Sequence, residues 1–292
     1  MGYGDELMAT GMAKGLARKK KFAAFGDGRK IIWSEQARVI FKGNPNIALP
    51  GAEGPGYRDL VWFRHYRGNR LYGKASYGHW VWNKDFRAIP GEVYLTVAEM
   101  AWAKFNAGSH FILVEPNVKA VAPNKQWPFN RYQALVNGLR ADHHDVRVVQ
   151  LVSNGQTLEG VETLRTPSFR QALAVLSNAS LYVGPEGGLH HGAAALDVPA
   201  VVIFGGYIHP MTTGYATHTN IYDPTGAEPC GIAGRPCPHC QRVMNSISID
   251  LVRRGVEQLL KKRGKDDNVA VRHPRSSAQD ADADGGPGQG VA

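Results

Sequence analysis

Glu186, Gly187, Gly188, His190 and His191 crowd one short stretch, Gly184-Pro185-Glu186-Gly187-Gly188-Leu189-His190-His191. Two adjacent glycines leave the backbone bare, so a ligand can come close to its N–H groups. A helix starting at such a turn adds unpaired amides and the positive end of its dipole. That combination favours an anion, most naturally a phosphate. The two imidazoles can donate hydrogen bonds to phosphate oxygens, and Glu186 suits the hydroxyls of a sugar. The plain alternative is a strand-to-helix turn with a snugly packed helix, and two glycines alone would not exceed it. Two histidines and a carboxylate on the same turn, at the carboxyl end of a strand, favour the ligand. The spacing is neither Gly-x-Gly-x-x-Gly nor a Walker-type Gly-Lys-Ser/Thr.

The elements that hold this turn follow from the flanking pattern. Residues 179–183 are a short apolar run and predict a buried strand, 189–196 an alanine-rich helix, and 200–204 a second buried strand. This is a unit of a parallel α/β sheet. Further strands are predicted at 111–114, 147–152 and 220–222, with helices at 129–139, 168–177 and 247–260. Nearer the amino terminus, Gly2-Tyr3-Gly4-Asp5 is a glycine turn, and Asp5 is placed to cap a helix over 6–18. Strands are expected at 22–25, 30–33, 60–63 and 92–95, and helices at 34–42 and 96–105. Asn106-Ala107-Gly108 reads as a boundary. Within 66–82, Tyr66, Tyr72, Tyr77, Trp80 and Trp82 alternate with Arg67, Arg70 and Lys74. Such residues can stack on sugars or bases, or serve as core and rim.

The 292 residues suffice for two α/β domains or one large one. No run of 18 apolar residues predicts a membrane span, and no secretory signal pattern is visible. The formal net charge of +9 favours acidic partners: nucleotide sugars, nucleic acid or an anionic surface. The basic cluster Arg18-Lys19-Lys20-Lys21 reads first as a solvated helix end. The three cysteines, Cys230, Cys237 and Cys240, fit a reducing, cytoplasmic setting. Their spacing is compatible with structural zinc. With His239 lying between two of them, reduced thiols are the favoured reading.

The stretch 184–205, with Gly188 and His191 ahead of the alanine-rich helix and the Pro199-led strand ending in Phe204-Gly205, resembles glycosyltransferase family 9, the ADP-heptose:lipopolysaccharide heptosyltransferases and their relatives. That family carries Asp-Thr/Ser-Gly-x-x-His; here Glu186 stands for the Asp and Gly187 for the Thr or Ser. Lys125-Gln126-Trp127-Pro128 is similar to the family's Lys-x-Trp-Pro segment, and Gly2-Tyr3-Gly4-Asp5 to its first glycine turn. In the family a buried strand precedes that turn, whereas this sequence starts at Met1.

The resemblance implies an α/β, glycosyltransferase B-like architecture: two Rossmann-like domains facing across a cleft, the amino-terminal one shortened. Residues 1–106 would form the acceptor side, 107–263 the nucleotide-sugar-binding domain, and 264–292 a disordered tail. It also implies inverting, metal-independent transfer of a heptose or related sugar from a nucleotide diphosphate sugar, with ADP the family's usual carrier, and no other cofactor. Asp5 would be the general base. Lys125, Gly187, Gly188, His190 and His191 would hold the diphosphate, and Glu186 the sugar. The acceptor would be a glycan such as a lipopolysaccharide core, a protein or, given the basic charge and the aromatic-basic segment, a modified nucleic-acid base. Two other classes stay open: a basic nucleic-acid-binding protein without transferase activity, and a nucleotide-sugar epimerase or hydrolase.

Overall fold

The computed structural model describes residues 1–54, 59–152, 155–225 and 228–266. The expected tail therefore lies almost wholly outside the described residues. Among those described, no helix is long and apolar enough to cross a membrane.

The strands, in chain order, are β1 (Phe22–Gly26), β2 (Leu60–Arg64), β3 (Asn69–Arg70), β4 (Gly73–Ser76), β5 (His79–Trp82), β6 (Phe111–Val114), β7 (Arg147–Leu151), β8 (Glu162–Leu164), β9 (Leu181–Pro185), β10 (Ala200–Ile203) and β11 (Thr219–Ile221). The α-helices are α1 (Tyr3–Ala13), α2 (Glu35–Ile40), α3 (Val97–Ala107), α4 (Phe129–Asp142), α5 (Phe169–Ser177), α6 (Gly188–Ala195), α7 (Pro210–Thr213), α8 (Pro238–Ser246) and α9 (Ile249–Asp266).

The main sheet has six parallel strands in the order β11-β10-β9-β6-β7-β8. Counted from β6, this is the doubly wound order 3-2-1-4-5-6, whose direction reverses between the first and fourth strands. Both faces are covered, so the central strands are unbroken apolar runs. Successive side chains alternate between the two layers. Phe111, Leu113, Tyr182 and Val202 join the core under α5 and α6; Ile112, Val114, Leu181, Val183, Val201 and Ile203 join the core under α4 and α9.

The amino-terminal part is small. β1 and β2 pair in parallel, Phe22 opposite Leu60. β3, β4 and β5 form a separate antiparallel sheet. The strand expected at 30–33 reduces to a single bridge from Ile31 to Gly26. The stretch 92–95 forms no strand; the Glu92 N–H goes to Thr10 Oγ1 and the Tyr94 carbonyl to Arg170. Helix α1 is capped by Gly2 rather than by Asp5, which sits inside the first turn. Helices α1 and α3 lie against α6 and α5, so their apolar residues share one core cluster with the main sheet. Arg170 on α5 locks this junction, paired with Glu99 of α3 and bonded to the carbonyls of Val39 and Tyr94.

Candidate active site

The strand order reverses between β6 and β9, which pair through Ile112–Leu181, Leu113–Tyr182 and Val114–Val183. At such a reversal the loops diverge and leave a crevice beyond the carboxyl ends of the strands. Glu115 follows β6 there, and Glu186-Gly187 follows β9. Helix α6 starts at Gly188, and its first-turn amides have no partner within the helix. A Cβ at Gly187 would meet nothing within 4 Å, so this side of the backbone is open.

Helix α1 brings the amino terminus to the same place. A Cβ on Gly4 would lie 2.6 Å from the His191 ring, so only glycine permits this approach. Tyr3 stacks on Phe169, ring centroids 4.1 Å apart. Asp5 is 6% exposed. Its Oδ2 accepts the Gly2 N–H at 2.6 Å and lies 3.2 Å from Arg70 Nε. The Tyr72 hydroxyl donates to Oδ1. Burial raises the Asp5 pKa, but Arg70, the Gly2 amide and Tyr72 more than offset it, and the carboxyl is held below its ordinary range. Arg70 in turn lies 3.8 Å over the Trp80 ring. Part of the aromatic-basic segment is turned inward: Tyr72 is buried and stacks on Trp82, which stacks on Trp80, while Arg67, Lys74 and Tyr77 are exposed. Arg70 and Tyr72 are partners of Asp5 that no local pattern announces, since they stand 65 and 67 residues away.

The Lys-x-Trp-Pro loop is held from beneath. Trp127 is fully buried, donates to the Ile247 carbonyl at 3.0 Å and packs edge-on against Tyr132. Lys125 is thereby aimed at the crevice, but it is not a free cation. It pairs with Glu186, whose other oxygen lies 3.0 Å from His191 Nε2. Burial opposes ionisation of Glu186, yet Lys125 and His191 hold its carboxyl far below the usual range. His191 Nδ1 faces the Tyr215 hydroxyl at 2.8 Å. His190 does not face the crevice. It is fully buried against Phe204, Tyr215 and His218, with neither ring nitrogen hydrogen-bonded, and burial keeps it neutral.

Two further groups escaped the sequence patterns. Lys119, exposed on the loop after β6, lies 5.5 Å over the Tyr3 ring, beside the start of α6. Glu6, next to Asp5, is buried and bonded to Ser34 Oγ at 2.6 Å and His65 Nε2 at 3.0 Å. Two side-chain groups have the spacing of metal ligands among the described residues: Glu186, His190 and His191, and the thiols of Cys230, Cys237 and Cys240.

The model of glycosyltransferase family 9 (heptosyltransferase) matches residues 79–234, over half of the chain. No curated protein matches it. Among solved structures, a glycosyl transferase family 9 protein from Veillonella parvula shares 12% identity at a TM-score of 0.56, covering 90% of this chain and 95% of that one. The ADP-heptose lps heptosyltransferase II of E. coli shares 18% identity at a TM-score of 0.46, over 60% of this chain and 54% of that one. The iron-containing dodecameric glycosyltransferase TibC of enterotoxigenic E. coli shares 15% identity at a TM-score of 0.46, over 61% and 50%. The chain thus spans about half the length of these two heptosyltransferase-type structures. With the doubly wound sheet, the glycine turn and the Lys-x-Trp-Pro loop at its reversal point, the chain belongs to glycosyltransferase family 9.

Proposed function

We propose that this protein transfers a sugar, heptose or a relative, from a nucleotide diphosphate sugar to an acceptor hydroxyl, with inversion and without a catalytic metal. One observation carries the reading: a buried, ionised carboxylate, Asp5, and an amide-lined glycine turn, Gly187-Gly188, are brought to one crevice by the contact of α1 with α6.

In this reading the diphosphate lies against the first-turn amides of α6. Charge comes from Lys119 and from Lys125, which exchanges its bond to Glu186 for one to phosphate. Glu186, released from Lys125, turns to the sugar hydroxyls. These cationic groups stabilise the leaving diphosphate as the glycosidic bond breaks. Asp5 accepts the acceptor's proton as its oxygen attacks the anomeric carbon. Arg70 and Tyr72 hold that carboxylate in place. The donor is linked to ADP, the carrier for which the E. coli heptosyltransferase II is named. The acceptor is a glycan, in keeping with the family's heptosyltransferase description.

The test is thermal stability of the chain with ADP, UDP, GDP and their sugars. A ligand at roughly 100 times its dissociation constant adds about 2.7 kcal/mol. Stabilisation by ADP, lost in Lys125→Ala, supports the reading. No response to any nucleotide, with salt-dependent nucleic-acid binding instead, overturns it.

A further inference from the structure

The thiols of Cys230, Cys237 and Cys240 converge on one point, their sulfur atoms all within 4.8 Å of one another. Cys230 and Cys240 Sγ are 3.0 Å apart. Cys237 and Cys240 are buried, and Cys230 is partly so. Nothing in the transferase chemistry above uses them.

The surroundings are those of a thiolate cluster. Cys237 is the N-cap of α8 and Cys240 lies in its first turn, where the helix dipole favours negative sulfur. The Ile232 N–H points at Cys230 Sγ at 3.4 Å. Asn124 fixes the loop: its amide donates to the carbonyls of Ile232 and Arg235, and its oxygen accepts the Cys237 N–H at 2.8 Å. A purely hydrophobic role would not need three sulfurs at one point.

We propose that these cysteines hold one thiophilic divalent ion, zinc or ferrous iron. A tetrahedral ion with bonds of about 2.3 Å sets its sulfurs about 3.8 Å apart, below the 4.8 Å within which all three lie, so binding would spread Cys230 and Cys240 from 3.0 Å by a side-chain adjustment. Binding releases three protons, one from each thiol, and leaves a metal tris-thiolate whose fourth position takes a water or an external ligand. His239 is not grouped with the three cysteines: the ligand atoms lying within 4.8 Å of one another are the three sulfurs alone.

The ion works as a staple. The Cys230 N–H is bonded to the Gly206 carbonyl, and Gly231 joins Tyr207 to Trp80. Trp82 Nε1 donates to the Tyr207 carbonyl. The Tyr207 ring lies 5.1 Å from the Lys125 ammonium. Asn124 is the neighbour of Lys125. Fixing three sulfurs therefore fixes the loop carrying Lys125, the ring beside it and the sheet that carries Arg70.

The experiment is metal analysis of the full chain purified under reducing conditions without added metal, followed by chelation and titration with cobalt(II). One equivalent of zinc or iron per chain is expected, or, in the stripped protein, stoichiometric uptake of cobalt with sulfur-to-cobalt absorption. Cys237→Ser and Cys240→Ser should each lose uptake. Chelation of the wild type should lower Tm by several degrees, a readout that does not require the variants to fold. A metal-free chain with three titratable thiols and no cobalt signal overturns the proposal. So does a Cys230–Cys240 disulfide whose reduction restores no metal uptake. Neither result depends on nucleotide binding.

Discussion

Glu186 and Lys125 neutralise each other across the strand-order reversal, 61 residues apart in the chain. The family's aspartate, shorter by one methylene, is here a glutamate. The carboxylate that would meet a sugar is occupied with the cation that would meet its phosphates. In the proposed reaction, donor binding would therefore exchange one ion pair for another.

That exchange has a measurable cost. Glu186→Gln removes the competing charge, so ADP should bind about tenfold more tightly, the equivalent of ~1.4 kcal/mol. Transfer should nevertheless slow, because the sugar loses a charged acceptor and one of the two carboxylate oxygens becomes an NH2 donor. Calorimetry with ADP and turnover with the sugar nucleotide separate the two effects. Weaker ADP binding would show that Glu186 supports the anion site rather than competes with it.

Asp5→Asn should reduce transfer by about 10²–10⁴-fold while ADP binding is unchanged. Arg70→Met tests the partner. The Asp5 carboxyl is now below its ordinary range; without Arg70 it moves up, because burial is then offset only by the Gly2 amide, Tyr72 and His65. The acid limb of the pH–rate profile should shift to higher pH in Arg70→Met. An unmoved limb would remove Arg70 from the role of positioning and tuning Asp5.

Glu115, at the end of β6, offers a stability test. Burial pushes its pKa up to about 7, against two weaker contacts from Asn117. A group whose folded pKa is raised contributes most at low pH, and that contribution is lost as pH rises from the unfolded value toward the folded one. The window is therefore about pH 4.5 to 7, and the loss is about 3 kcal/mol above it. Glu115→Gln should be no more stable than wild type at pH 4.5 and more stable at pH 8, as judged by chemical denaturation. Equal stability at pH 8 would show that the carboxyl ionises without penalty.

Arg170 is 5% exposed and bonded to Glu99 and two backbone carbonyls. Arg170→Ala leaves Glu99 and these carbonyls without their partner and should cost about 3–5 kcal/mol. Arg170→Lys should recover little, since one ammonium cannot reproduce the planar fork. Denaturant midpoints measure both.

Most of the main sheet was legible because strands covered on both faces leave apolar runs, at 111–114, 179–183 and 200–204, while β8, Glu162–Leu164, at the sheet edge carries no such run and was not anticipated. The glycine turn and the Lys-x-Trp-Pro loop were legible because each is local. The antiparallel sheet at 69–82 was not: its aromatics pack through long-range stacking with Arg70 and Tyr207, so no simple alternation marks it. Helix α8 was hidden by Pro236 and Pro238 among the cysteines, the second of which in fact starts it. The strand expected at 92–95 has the right composition, but Thr10 and Arg170 take its backbone groups. His190 looked like a phosphate ligand from its place in the chain. The helical turn directs it inward, and only His191 reaches Glu186.

Tyr3 stacked on Phe169, with Gly4 pressed to His191, ties the start of α1, with Asp5, and the start of α6 into one block. A hinge that opened and closed the molecule between catalytic cycles would have to peel those rings apart each time. In the proposed reaction, the distance between Asp5 and the glycine turn would then be set when the chain folds, not by a closing motion in each cycle.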